Sequence, residues 1–173
     1  MTRGLRHSDI APALILLGIS AATLATVYAS QYIGGLQPCE LCLYQRWPWW
    51  GVLALAAVAS LPALSVNLRM LLVLVAGLVL LGGASLAFFH VGVEQHWWPG
   101  LASCSSGGQI PGSFEQLQQL MQRPAPACDK PAWTLLGISM AGYNAILSVV
   151  MGAWTLVTAA AALLAKKESL HSG

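Results

Sequence analysis

The chain has 173 residues, 57% of them hydrophobic and only 8% charged, with a formal net charge of +2. Soluble domains carry roughly 25% charged residues, so this composition excludes an ordinary water-solvated fold. Lys and Arg number 8 against 6 Asp and Glu, with no basic tract of the kind that binds nucleic acid, and none is expected as a partner.

In chain order, four segments contain no Asp, Glu, Lys or Arg: Ile10 to Ile33, Trp47 to Asn67, Met70 to Val93 and Pro131 to Ala165. Each matches or exceeds the roughly 17 to 25 apolar residues needed to cross a bilayer core. A soluble four-helix bundle would need a polar face on each helix, and the run LLVLVAGLVLLGG has none. The expected fold is an all-α membrane protein, a four-transmembrane-helix bundle forming a single domain over 1–173. Its helices fall at about 10–33, 47–65, 70–91 and 135–165, joined on the outer side by a loop at 34–46 and a long loop at 92–134.

The first segment follows Arg3 and Arg6, and Val27-Tyr28-Ala29 looks like a signal-peptidase site. Its apolar run from Ile10 to Val27 outlasts the usual signal core of about 7 to 15 residues, so a retained helix is expected. With four crossings both termini share a side, which holds Arg3, Arg6, Arg69, Lys166 and Lys167. The other side holds Arg46, Arg123 and Lys130. That bias places the termini in the cytoplasm and both loops outside, in contact with membrane lipid at their edges. Trp47, Trp49, Trp50, Trp97, Trp98 and Trp133 all fall at the expected outer interface, where amphipathic rings settle.

Within the long loop, Ser113 and Gln116 fit a capping box, and Phe114, Leu117, Leu120 and Met121 fall near one helical face. Pro124 and Pro126 end that short amphipathic helix, which either lies on the outer membrane surface or packs against the rest of its loop.

Cys39, Cys42, Cys104 and Cys128 all lie in the two outer loops, two in each. An oxidising outer compartment is where disulfides persist, and four cysteines allow three pairings. The simplest joins Cys39 to Cys42 and Cys104 to Cys128. Zinc would require a second closely spaced Cys or His pair, and covalent haem would require His where Leu43 stands, so no metal is expected. A Cys104–Cys128 bond would close a loop of about 25 residues, worth roughly 3 kcal/mol in chain-entropy terms, a structural contribution. A C-x-x-C bond closes almost no loop; its spacing suits thiol exchange. Arg46 follows Cys42 at helical spacing, where a fixed cation would stabilise a thiolate and could donate to an electron-accepting oxygen. The bland alternative is an arginine anchored to lipid phosphate. Pro48 disfavours helix at Trp47 and is compatible with a helix that starts at Pro48 itself.

The run Pro38-Cys39-Glu40-Leu41-Cys42-Leu43-Tyr44-Gln45-Arg46, with Cys104, Cys128 and Gly137-Ile138-Ser139-Met140-Ala141-Gly142-Tyr143-Asn144, resembles the DsbB family of membrane disulfide-generating proteins. The resemblance covers nearly the whole chain. It implies a thiol:quinone oxidoreductase of the bacterial inner membrane that reoxidises a soluble, periplasmic, DsbA-like thioredoxin-fold partner. Relay through DsbA, DsbB and quinone is the general account of how the bacterial periplasm is kept oxidising. By position, Cys104 would form the mixed disulfide with the partner and Cys128 would complete that pair. Cys39 would exchange with the long loop, Cys42 would be the thiolate meeting ubiquinone or menaquinone, and Arg46 would support quinone binding. A vitamin K epoxide reductase-like enzyme and a non-enzymatic scaffold with structural disulfides are the alternatives; epoxide reduction at the expense of thiols would mark the first, indifference to loss of Cys42 the second.

His90, Glu94 and His96 lie at the outer end of the third helix. The resemblance implies that polar quinone-site residues can stand there, but the expected role of the histidines is interfacial hydrogen bonding, with a redox role the alternative. Tyr143 and Asn144 are polar groups within an apolar run and need partners, by default on a neighbouring helix.

Overall fold

A computed structural model describes residues 7–101, 112–115, 118 and 127–171, and these are almost entirely helical. Helix α1 spans His7–Tyr32, α2 Glu40–Tyr44, α3 Arg46–Ala59, α4 Val66–Glu94 and α5 Met140–His171. Three of them are long and apolar enough to cross a membrane, over Ile10–Tyr32, Val66–Glu94 and Met140–Leu164. Of the amphipathic helix expected in the long loop, Phe114, Glu115 and Gln118 are helical and exposed. Gln116, Leu117, Leu120 and Met121 lie outside the described residues, as does Cys104.

The second segment differs from its expected 47–65 at both ends. Helix starts at Arg46 and not at Pro48, because a proline in the first turn gives up an amide that has no helical partner. Residue Gln45, at φ −66 and ψ −14, separates α2 from α3 while remaining near helical geometry, so Glu40 to Ala59 is one helical run with a step in it. The step lies where Pro48 would otherwise crowd the Tyr44 carbonyl, four residues back. At the far end the helix stops at Ala59, ahead of Pro62. There Arg69 Nε donates to the Ala59 carbonyl at 2.8 Å and Nη2 to the Leu61 carbonyl at 2.9 Å. Arg69 is 0% exposed. It therefore caps the end of α3 and is not the solvent-facing cation counted in the orientation argument. The 14 residues of α3 reach about 21 Å, short of a hydrocarbon core of about 30 Å.

The last helix also starts later than its expected 135. Thr134–Leu135 and Ile138–Ser139 pair as a small antiparallel hairpin, β1 and β2, with Thr134 opposite Ser139 and Leu135 opposite Ile138. Its two turn residues, Leu136 and Gly137, take φ of 52° and 79°, the left-handed values that tight two-residue hairpins require. Ser139 Oγ then accepts from the Gly142 amide at 3.1 Å, capping α5.

Helix α4 packs against both α3 and α5, and α1 packs against α3. Direct contact between α1 and α5 is at most marginal among the described residues, so the bundle is open along that side. A core of Leu16, Leu24, Trp49, Val52, Val73, Leu80 and Met151 joins the layers. Small residues let α4 and α5 approach: a Cβ on Gly152 would stand 2.9 Å from the Leu81 side chain and 3.2 Å from the Gly77 carbonyl. Trp49, expected at the interface, is buried in this core. Trp47, Trp50, Trp97 and Trp133 are exposed.

At the outer end of α4, Trp98 folds back over the helix, stacks on Phe89 at 5.9 Å and donates its indole N–H to the Phe89 carbonyl at 2.9 Å. Gly92 makes room for it, since a Cβ there would lie 2.0 Å from the indole. Gly92→Ala is expected to displace Trp98 and to destabilise the protein by about 1–3 kcal/mol, the range for overpacking. Thermal unfolding in detergent together with tryptophan fluorescence checks both effects.

Candidate active site

Cys39 caps α2, and its sulfur accepts from the Cys42 amide at 3.2 Å, closing the C-x-x-C turn on itself. Both cysteines are free thiols, with their sulfurs 2.7 Å apart. The sulfurs face different surroundings. Cys39 is 5% exposed and shares an apolar cluster with Leu41, Val93 and Cys128, which is 0% exposed and disulfide-bonded. Cys42 packs against that cluster and also lines a cavity of about 710 Å³, which Cys39 does not. That cavity occupies the open side of the bundle, walled by α1 from Ile19 to Gln31, by Gln45, Arg46 and Trp49, and by α5 from Met140 to Leu147.

Arg46 also lines the cavity, with its guanidinium carbon 4.8 Å from the centre of the Tyr28 ring, a cation–π contact that orients the charge. Trp50 donates to the same tyrosine's hydroxyl at 3.4 Å, tying α1 to α3 at this level.

His90, expected at the headgroups, is 2% exposed and sits behind the thiol turn. Its Nε2 lies 3.6 Å from the Cys39 sulfur and 3.8 Å from Glu94 Oε1, and its Nδ1 lies 2.6 Å from Gln45 Nε2. Gln45 Oε1 accepts from Asn144 Nδ2 at 2.6 Å, and Asn144 Oδ1 accepts from Trp49 Nε1 at 2.7 Å. Asn144 therefore finds its partners across the bundle, on α3 and in the step before it. Glu94 is buried beside His90 and takes a hydrogen bond from Ser139; its Oε2 has no partner among the described residues. His96, just past the end of α4, is exposed and in the left-handed region at φ 58°.

Of the residues singled out in the sequence, Cys39, Cys42 and Arg46 come together and Cys128 shares the buried cluster of Cys39, while Cys104 is outside the described residues. His90 and Glu94, noted in the sequence but given no catalytic role there, complete the site together with Gln45, which the sequence reading did not single out. Spacing gives one signal for two of them: His90 and Glu94 stand four apart, on one helical face.

The ligand atoms of Cys39, Cys42 and His90 lie within 4.8 Å of one another, a donor set suited to a thiophilic cation. Two thiolates on one tetrahedral zinc stand about 3.8 Å apart, given zinc–sulfur bonds of about 2.3 Å. At 2.7 Å these sulfurs stand closer together than that.

Hydrogen bonding with the Cys42 thiol, helped by His90 and opposed by burial, draws the Cys39 pKa from 9.0 down to about 5.

Fold and site define a multi-pass membrane protein that carries a partly buried dithiol beside a mainly apolar cavity. A family model described as Disulfide bond formation protein DsbB matches residues 10–158, and the chain belongs to that family. Its relatives include an uncharacterized protein of Rickettsia prowazekii, 32% identical over 80% of each chain. The disulfide bond formation protein B of Methylococcus capsulatus is 33% identical over 79% of this chain and 85% of its own. That of Haemophilus influenzae is 26% identical over 88% of each.

The depressed Cys39 pKa stabilises the folded dithiol protein most above pH 9, and the gain disappears as pH falls through about 5. Thiolate absorbance of the reduced protein is expected to persist at neutral pH and vanish around that lower value. In His90→Phe, which lacks the ring donor, the midpoint moves upward; an unchanged midpoint would separate His90 from the thiolate.

Proposed function

We propose that the protein is a membrane thiol:quinone oxidoreductase that reoxidises a soluble, periplasmic, DsbA-like thioredoxin-fold protein. The observation that carries this reading is that the C-x-x-C pair adjoins one buried cluster with the disulfide-bonded Cys128, while of its two cysteines only Cys42 also lines the cavity. Electrons can then enter at one sulfur and leave from the other.

In this reading the α2–α3 run, continued through the turn before α4, is a fourth crossing, and both termini are cytoplasmic in a bacterial inner membrane. Cys128 is paired with Cys104. A donor thiolate attacks the Cys104 sulfur, Cys128 leaves as a thiolate, and the donor's second thiol resolves the mixed disulfide. The donor departs oxidised and the long-loop pair is left as a dithiol. Cys128, packed beside Cys39, then attacks the Cys39 sulfur of an oxidised short-loop pair and expels Cys42 as a thiolate. Cys104 resolves the Cys39–Cys128 bond, so the two electrons rest on Cys39 and Cys42. The free thiols at 39 and 42, with Cys128 in a disulfide, correspond to this stage.

The cavity suits a quinone: its volume of about 710 Å³ is within the usual range for small-molecule sites, and its walls are mainly apolar with few polar groups. A bound ubiquinone or menaquinone would accept the two electrons and two protons given up as the Cys39–Cys42 bond re-forms. Cys42 is the sulfur that would meet it. Arg46, held over Tyr28, would offer N–H donors to a quinone oxygen and stabilise negative charge developing there.

The test is quinone reduction by the purified protein supplied with a reduced thioredoxin-fold donor. Turnover is expected with the native chain and loss of it in Cys42→Ser; absence of turnover in the native protein would sink the proposal. Arg46→Gln is expected to raise the quinone KM about tenfold, equivalent to about 1.4 kcal/mol, with donor oxidation in a single turnover unaffected.

A further inference from the structure

Four polar side chains run in one hydrogen-bonded line behind the dithiol: Trp49 Nε1 to Asn144 Oδ1 at 2.7 Å, Asn144 Nδ2 to Gln45 Oε1 at 2.6 Å, and Gln45 Nε2 to His90 Nδ1 at 2.6 Å. The line has a direction, fixed at its far end. An indole N–H can only donate, so the Asn144 atom facing Trp49 must be its oxygen. Ser148 Oγ, 3.5 Å from the same atom, also donates to it. Asn144 consequently turns its NH2 toward Gln45, which accepts with its oxygen and turns its own NH2 toward His90. His90 Nδ1 must then accept, and a neutral ring carries its proton on Nε2.

Everything facing Nε2 suits a donor there. The Cys39 sulfur is 3.6 Å away, Glu94 Oε1 is 3.8 Å away, and the Cys128 backbone also faces the ring. Cys42 adjoins Cys39, and the remaining neighbours in the line are uncharged.

We infer that Trp49 and Asn144 are positioning residues which, through Gln45, hold neutral His90 with its proton on Nε2, aimed at the Cys39 sulfur. Neither touches a sulfur. Their effect is to leave His90 a donor to Cys39 while the ring is neutral, so that negative charge on that sulfur keeps a partner without the ring having to be charged. The alternative tautomer would set a nitrogen lone pair against the thiolate. The polarity is set on α3 and α5 and delivered to the sulfur through a side chain in the step between α2 and α3.

The inference takes from the proposed function only the redox role of Cys39; its primary test reads a proton position and needs neither donor nor quinone. In reduced, full-length protein labelled with 15N-histidine and held in detergent micelles, the His90 resonances are identified by their loss in His90→Gln. At a pH where the ring is neutral, the wild type is expected to show the Nε2-protonated pattern. The Nδ1-protonated pattern would overturn the inference without reference to any variant. In Asn144→Asp the carboxylate can only accept, so Gln45 must turn its NH2 toward it and its oxygen toward His90. The expected result is inversion to the Nδ1-protonated pattern, with the thiolate midpoint moved to higher pH. Trp49→Phe, which keeps the ring packing and removes the donor, is expected to give a mixture of tautomers. A folded Asn144→Asp protein that retains the wild-type tautomer would refute the relay even if quinone turnover proceeds normally.

Discussion

The contact between His90 and the thiol turn is the interaction on which the site depends. Helix α2 has 5 residues, far too few to be stable alone, and a C-x-x-C turn on such a segment would sample many orientations. Burial of Leu41 secures one side of it. His90 secures the other, reaching Cys39 through Nε2 and Gln45 through Nδ1, thereby gripping both ends of α2. Because His90 belongs to α4, which packs against both α3 and α5, the cysteines inherit the rigidity of the bundle and not the freedom of their loop. Sulfur chemistry needs this, since exchange requires the attacking and attacked atoms to line up.

Holding the turn in place also assigns its two sides. Cys39 lies in the cluster that contains Val93 and Cys128; Cys42, three residues on, packs against that cluster and also lines the cavity. The cavity exists because α1 is held by α3 and α5 by α4, with little joining α1 to α5 directly. From α1, Tyr28 places its ring against Arg46 and its hydroxyl near Trp50, both on α3, and so fixes a charge in the wall of a mainly apolar space. Catalytic groups on helix ends, lining a space left between helices, are what a bundle can offer an apolar ligand without opening its core.

Much of this was legible in the sequence. Uninterrupted apolar runs announced the three long helices because hydrocarbon admits few alternatives, and paired cysteines with an arginine at helical spacing pointed to the place of the site. What escaped depends on long-range partners. His90 in FFHVGVE has the same local signature whether it meets lipid headgroups, water or a sulfur 51 residues earlier in the chain. Asn144 announced a need for partners but not that Gln45 and Trp49 would meet it. Trp49 and Arg69 misled for a related reason: each has the chemistry of an interface residue, yet each was drawn inward by acceptors on another segment, Asn144 for one and the end of α3 for the other. The start of α5 shifted because the Leu136-Gly137 turn is short enough to hide inside a hydrophobic run.

Pro48 explains why the dithiol stands at this depth. It cannot donate to the Tyr44 carbonyl, so the helix steps at Gln45, and a stepped backbone is tolerated in hydrocarbon only where protein or water satisfies its polar groups. Its ring meets α4 where a Cβ on Gly83 would come within 2.9 Å, fixing the step against the central helix. The step frees Gln45 from a continuous helix surface and lets its side chain bridge His90 and Asn144, while Arg46 begins the next turn facing the cavity. One proline thus separates the short helix that carries the sulfurs from the longer one that walls the cavity.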